Sequence, residues 1–266
     1  MYMKIGINMN AFGDIDIDLQ IKLMQENGFE ATFIKAEHPR ADEMMQAIRN
    51  AGIDCESVHA PIGKELNDLW YEGEAGEQML KRQLRSVDLC VRHEIPVMVV
   101  HLSSGVPAPR ISDIGYRRFK ALVDYADTHG VKIAFENQRF LANIAFAFEQ
   151  FPTAGFCWDV GHEGVFANNR RYMPLFGHLL TQLHVHDNFG PGHWDEHMIP
   201  YDGTIDYERV AASIAATDYD CSLMLELNVN AGNVYAGWIP EQYYRHAAEG
   251  ARKVAGRVEY YRSQRA

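Results

Sequence analysis

The chain has no paired cysteines. Its four, Cys55, Cys90, Cys157 and Cys221, lie far apart and make no Cys-x-x-Cys spacing. In 266 residues they read as reduced, mostly buried thiols, which excludes a disulfide frame and gives the cytoplasm as the expected compartment. No apolar run approaches the roughly 20 residues of a membrane span; the longest lies around "IPVMVVHL". The opening "MYMKIGINMN" lacks a long apolar segment, so no signal peptide is expected. Basic blocks are missing too. The densest, Lys81-Arg82…Arg85 and Arg117-Arg118…Lys120, fall on expected helices, and the net charge is -11. That balance disfavours a nucleic-acid partner held by its phosphates. No linker or low-complexity tract breaks the chain, and no Gly-rich phosphate fingerprint follows the first apolar run.

What is present is ordinary globular material, 47% hydrophobic and 23% charged, enough for one large core. Short β-branched runs alternate with longer amphipathic ones. The strands are expected at 4–9, 31–36, 54–60, 97–102, 132–137, 154–160, 181–187 and 221–228. Helical patterns lie between them, and a last helix runs from about Pro240 towards Gln264. Gly28, Gly52 and Gly130 read as helix stops feeding the next strand. Eight βα units in unbroken alternation predict an α/β fold, a single (β/α)8 TIM barrel over residues 1–266. An open doubly wound sheet is the alternative that eight regular units disfavour.

In a barrel strand, neighbouring residues alternate between the interior and the helix layer. Near six strand ends a large apolar residue precedes a metal-competent one: Val58-His59, Val100-His101, Phe135-Glu136, Trp158-Asp159, Leu183-His184 and Leu225-Glu226. The polar member of each pair is predicted to point into the mouth. Ionisable groups there are costly unless they pair or bind a cation. His, Asp and Glu without cysteine make a mixed nitrogen and oxygen site suited to Mn2+ or Zn2+, with Co2+, Fe2+ or Mg2+ also admissible. His186 shares the face of His184, whereas Asp187 can turn either way. His162, three residues past Asp159, and the pair Asp195 and His197 in the loop after the seventh strand extend the candidate set. The other histidines, His38, His93, His129, His178, His193 and His246, show no partner pattern and read as surface or structural.

The ordered motifs "VHAPIG", "VVHLSSG", "FENQ", "CWDVGH", "LHVHDN", "DEHMIPYDGTIDY" and "LELN" span nearly the whole chain. As a set they resemble the xylose-isomerase-like barrel superfamily, which includes sugar isomerases and epimerases and the endonuclease IV type of abasic-site nuclease. The isomerase branch implies one divalent metal on Glu136, Asp159, His184 and Glu226. Glu136 and Glu226 would be the catalytic bases, and His162 would touch substrate. The nuclease branch implies up to three zinc ions on nine ligands, which here map to His59, His101, Glu136, Asp159, His162, His184, Asp195, His197 and Glu226. "CWDVGH" and "FENQRFL" depart from the nuclease pattern, and Pro200-Tyr201 stands where isomerase relatives carry Pro-Gly.

The resemblance implies a small-molecule carbohydrate substrate, a sugar, keto-sugar or inositol-derived ketone, isomerised by proton transfer through a metal-stabilised enediolate. A homo-oligomer is expected. Partial burial is expected to raise the glutamate pKa values towards those of useful bases. The alternative is a multi-zinc phosphodiesterase acting on abasic DNA. Expected substrate contacts are Asn10, Asn67, Trp70, His186 and Trp194, with Tyr71 and Asn137 beside them; the aromatic rings would form a wall against a sugar face. His186, one step above His184, would touch substrate or support the site.

Overall fold

In the computed structural model, residues 2–168 and 170–265 are described. The elements follow the expected alternation: β1 (Ile5–Ile7), α1 (Ile17–Glu26), β2 (Ala31–Lys35), α2 (Ala41–Asn50), β3 (Asp54–His59), α3 (Glu74–His93), β4 (Val97–Val100), α4 (Asp113–Thr128), β5 (Lys132–Glu136), α5 (Leu141–Gln150), β6 (Gly155–Asp159), α6 (Val160–Phe166), α7 (Met173–Phe176), β7 (Leu180–His184), α8 (Tyr207–Ala215), β8 (Leu223–Leu225) and α9 (Pro240–Ser263). The strands pair in parallel in the order β7-β6-β5-β4-β3-β2-β1-β8. Closure comes just past β7. Val185 N–H donates to the Met224 carbonyl at 2.9 Å, and Glu226 N–H donates to the Val185 carbonyl at 3.2 Å. The fold is a single (β/α)8 barrel.

The alternation holds at every expected pair. Val58, Val100, Phe135, Trp158, Leu183 and Leu225 are fully buried in the large core shared with the helices. The barrel interior is a separate, smaller packing. Ala31, Phe33 and Met224 form one cluster there, and Val99, Ala134 and Cys157 another. Gly6 leaves room for this interior: a Cβ there would meet Met224 Cε at 2.7 Å and lie 3.0 Å from the Ala31 carbonyl oxygen, so Met224 would have to move.

Several strands are shorter than expected. β8 spans three residues rather than eight, because the chain leaves the sheet after Leu225 and its hydrogen bonds pass to loop partners. Beyond β7 the chain stays extended, and Asp187 pairs in antiparallel fashion with Met198. Asp187 turns away from the mouth. Its carboxylate accepts the backbone N–H groups of Asn188, Tyr201 and Ile205 at 2.8, 2.9 and 3.0 Å, and so shapes the long loop after β7. Tyr201 takes φ 79°, the left-handed region that favours glycine. Its ring lies under the Lys253 ammonium at 3.6 Å and beside Tyr207 at 4.8 Å. Tyr201 thus takes a backbone shape that favours glycine, held by the Asp187 hydrogen bond and by packing.

Candidate metal centre at the barrel mouth

All nine expected ligands reach one mouth at the C-terminal ends of the strands, where barrel sites form. Glu136 is the hub. Its Oε2 faces His184 Nδ1 at 3.0 Å and His59 Nε2 at 3.5 Å; its Oε1 faces His162 Nδ1 at 3.0 Å and His101 Nε2 at 3.1 Å. His184 Nδ1 also lies 3.2 Å from Glu226 Oε2. Among the described residues, three sets of donor atoms lie within 4.8 Å of one another: Glu136, Asp159, His184 and Glu226; His59, Glu136 and His184; and His162, His186, Asp195 and His197.

Local structure aims these groups. Asp159 ends β6 and also caps α6, its carboxylate accepting the His162 backbone N–H at 2.5 Å. Asn137 clamps the same residue. Its side chain accepts Asp159 N–H and donates to the Asp159 carbonyl, both at 2.8 Å. His59, His162 and His197 each bring Nδ1 to a backbone carbonyl, of Ala60, Asn137 and Glu226, at 2.9, 3.0 and 3.0 Å. Donation of Nδ1–H there assigns the tautomer and leaves Nε2 facing the mouth, the usual outer support of a ligating histidine. Gly161 makes room for His186, since a Cβ at that position would lie 1.9 Å from His186 Cε1. The floor is Phe33, stacked under His184 at 4.7 Å and 21°.

The donor set fits a cation. Glu136 Oε2, both ring nitrogens of His184, His186 Nδ1 and Asp195 Oδ1 are buried without a hydrogen-bond partner. Several of these atoms lie close to each other yet point at a shared space rather than along a hydrogen bond. Acceptors so placed need a proton or a metal between them.

In the metal-free protein, protons serve. Burial opposes a charged His184, but the Glu226 and Glu136 carboxylates outweigh it and hold its pKa well above the ordinary value. Asp159 and Asp195 do the same for His162, and Asp195 lifts His197 to about 9, both against burial. Burial keeps His101 below the usual histidine value despite Glu136. The expectation that burial raises the glutamate pKa values does not hold here. Burial does push Glu136 and Glu226 up, but His101 and His184 hold Glu136 well below the carboxylate range, and His184 and His197 do so for Glu226. Cys157, beneath the site, is pushed up to about 12 by burial and stays a thiol.

Several expected substrate contacts are placed elsewhere. Trp70 is 2% exposed, donates its indole N–H to the Leu102 carbonyl at 2.6 Å and packs on Phe119, so it offers no face to a ligand. Asn67 pairs its amide with the Ser104 backbone, donating to its carbonyl and accepting its N–H at 2.7 and 2.8 Å. Asn137 is spent on Asp159 in the same way. His186 is fully buried, with Nε2 3.1 Å from Asp159 Oδ1, and belongs with the metal-competent donors rather than with a substrate wall. Asn10 is half-buried in the turn that follows β1, and Trp194 is 86% exposed on the loop after β7. Gln138 is the residue that sequence reasoning missed. Its Nε2 lies within 3.2 Å of His101 Nε2, Glu136 Oε1 and His162 Nδ1. The same alternation that found Glu136 would have found it, two residues on.

The family model described as xylose isomerase-like TIM barrel matches residues 12–255. The chain belongs to this family. Among curated proteins, it is 25% identical over 216 residues to uncharacterized protein y4fM of Sinorhizobium fredii (strain NBRC 101917 / NGR234), covering 67% of this chain and 68% of that one. Among solved structures, a xylose isomerase-like TIM barrel/4-hydroxyphenylpyruvate dioxygenase fusion protein superposes with TM-score 0.78 at 15% identity. The match covers 98% of this chain, which spans only 44% of that fusion. A 3-keto-D-glucoside 4-epimerase from E. coli, in its apo form, gives TM-score 0.74 at 19% identity over 94% of this chain and 99% of its own. Among the described residues no helix is long and apolar enough to cross a membrane.

Proposed function

We propose that the protein is a divalent-metal-dependent isomerase or epimerase of a sugar, keto-sugar or inositol-derived ketone. The observation that carries this reading is the buried set of Glu136, Asp159, His184 and Glu226, with donor atoms within 4.8 Å of one another and Glu136 Oε2 and both His184 nitrogens unpartnered. The kinship in fold to a 3-keto-D-glucoside 4-epimerase supports a carbohydrate substrate. A divalent ion held there, Mn2+ or Zn2+ by donor type with Co2+, Fe2+ or Mg2+ compatible, would polarise a substrate carbonyl and the hydroxyl on the next carbon and so acidify that carbon's C–H.

The rest falls to the chain. Glu136 ends β5 and Glu226 follows β8, with β6 and β7 between them, so the two residues approach the seat from different sides. Glu226 removes the proton and Glu136 returns it, or the reverse for the opposite epimer. His162, on the first turn of α6, donates to a substrate oxygen. Asn10 and Trp194 contact the rest of the sugar. The enzyme works in the cytoplasm as a homo-oligomer, which light scattering on a sizing column checks.

Glu226→Gln tests the reading. On a panel of ketoses it is expected to lower solvent deuterium incorporation by roughly 100-fold or more, the usual scale for losing a general base. Undiminished exchange rules Glu226 out as a base. A second reading, a multi-zinc phosphodiesterase on abasic DNA, draws support from the convergence of all nine donors. The net charge of -11 weighs against it. Three zinc ions per chain together with cleavage of an abasic duplex would replace the first reading with the second.

A further inference from the structure

Gln138 stands where the two readings part. Its carboxamide nitrogen is 3.1 Å from Glu136 Oε1, 3.2 Å from His101 Nε2 and 3.0 Å from His162 Nδ1, and the residue is 9% exposed. The amide orientation follows from Glu136, because a carboxamide oxygen at 3.1 Å from a carboxylate oxygen would repel it. His162 Nδ1 already donates to the Asn137 carbonyl. The two N–H groups of Gln138 are therefore left for Glu136 Oε1 and His101 Nε2.

Those bonds divide the hub in two. Glu136 Oε1 is satisfied, whereas Oε2 is unpartnered and faces His184 and His59. His101 is the one expected ligand absent from all three convergent donor sets among the described residues. A second ion on the His101 side needs Glu136 to bridge two ions through both oxygens and needs the lone pair of His101 Nε2. Gln138 holds both.

We propose that Gln138 bars a second metal from the His101 side of this mouth by holding Glu136 Oε1 and His101 Nε2, which leaves Glu136 as a one-oxygen ligand. This rests on the isomerase reading and deepens it. One ion with a single free Glu136 oxygen suits polarising one carbonyl. A bridged pair on Glu136, the arrangement that clamps a phosphate between ions, is closed off.

The test is anomalous scattering from crystals soaked in excess Zn2+ or Mn2+, with elemental analysis after desalting. The wild-type chain is expected to show no ion ligated by His101. Gln138→Ala, and the isosteric Gln138→Glu which replaces the donor with an acceptor, are expected to add one such ion, about one more equivalent per chain. If the alanine variant fails to fold, the glutamate variant decides alone. An ion on His101 Nε2 in the wild type, or variants with unchanged metal content and His101 unligated, overturns the proposal. The seat of Glu136, Asp159, His184 and Glu226 appears as a separate peak in the same map. An empty seat there counts against the isomerase reading and not against the role of Gln138.

Discussion

Loading the chelator-treated protein with Zn2+ or Mn2+ is expected to release protons. A ligating histidine must give up its charge, and three in this mouth are held protonated by carboxylates that the metal would take over. His197, lifted to about 9, is roughly 99% protonated at pH 7. His184 and His162 are also held well above their ordinary value. An ion on Glu136, Asp159, His184 and Glu226 therefore releases about one proton, and a further ion on His162, His186, Asp195 and His197 brings the total to about three. Titration calorimetry in two buffers of different ionisation enthalpy reads this number directly. Affinity is expected to strengthen about tenfold per pH unit for each proton released, up to the histidine pKa values.

The stability of the metal-free protein carries the opposite slope. The His197 pKa is raised in the folded state, so its contribution is fully present below 6.5 and is lost as pH rises through about 9. At about 1.4 kcal/mol per pH unit that contribution is of order 3 kcal/mol. The carboxylates lie on the other side: held low, they stabilise above their ordinary values and lose that stabilisation as pH falls further. Metal-free protein should thus unfold at lower urea as pH climbs from 7 to 9.5, while metal-loaded protein should not. Heats independent of buffer, or stability of the metal-free form that rises over this range, would refute protonation as the stand-in for the cation.

Two substitutions test the supports of the site. Gly161→Ala forces a methyl to within 1.9 Å of the His186 ring, so a loss of roughly 2–4 kcal/mol in urea denaturation is expected together with weaker metal retention. A variant as stable as the parent would mean that the ring is not seated against Gly161. At Tyr201, φ 79° predicts that Tyr201→Gly is more stable than Tyr201→Ala by about 1 kcal/mol, the reverse of the usual order of these residues in strands and helices; urea midpoints of the two variants decide it.

Much of the barrel was legible because one rule, alternation along a strand, repeats eight times. That rule placed His59, His101, Glu136, Asp159, His184 and Glu226 without any local motif, and it assigned His186 to the same face as His184. It stopped being useful where strands end. Asp187 follows His186 by one residue, but whether it joined the site or organised the next loop depended on the N–H groups of Tyr201 and Ile205, fourteen and eighteen residues on. Trp70 and Asn67 misled for a related reason. In a loop with no period, an aromatic ring and an amide carry the same appearance whether they meet a ligand or the Leu102 and Ser104 backbone. Gln138 was within reach of alternation yet carries no charge, so a search for metal ligands passed over it.

The apolar floor has one more consequence. Phe33, Met224, Val99, Ala134 and Cys157 fill the barrel below the histidines and carboxylates, and the polar side chains Gln182 and Ser57 beneath are spent on each other at 2.8 Å. Any cation in the mouth is insulated from beneath and exposed to water only from above. Its field is therefore directed outward, into the space where a substrate arrives, much as a reflector sends light one way. A polar residue introduced at Phe33 would leak that field into the barrel, weakening the pull on the substrate while leaving every ligand in place.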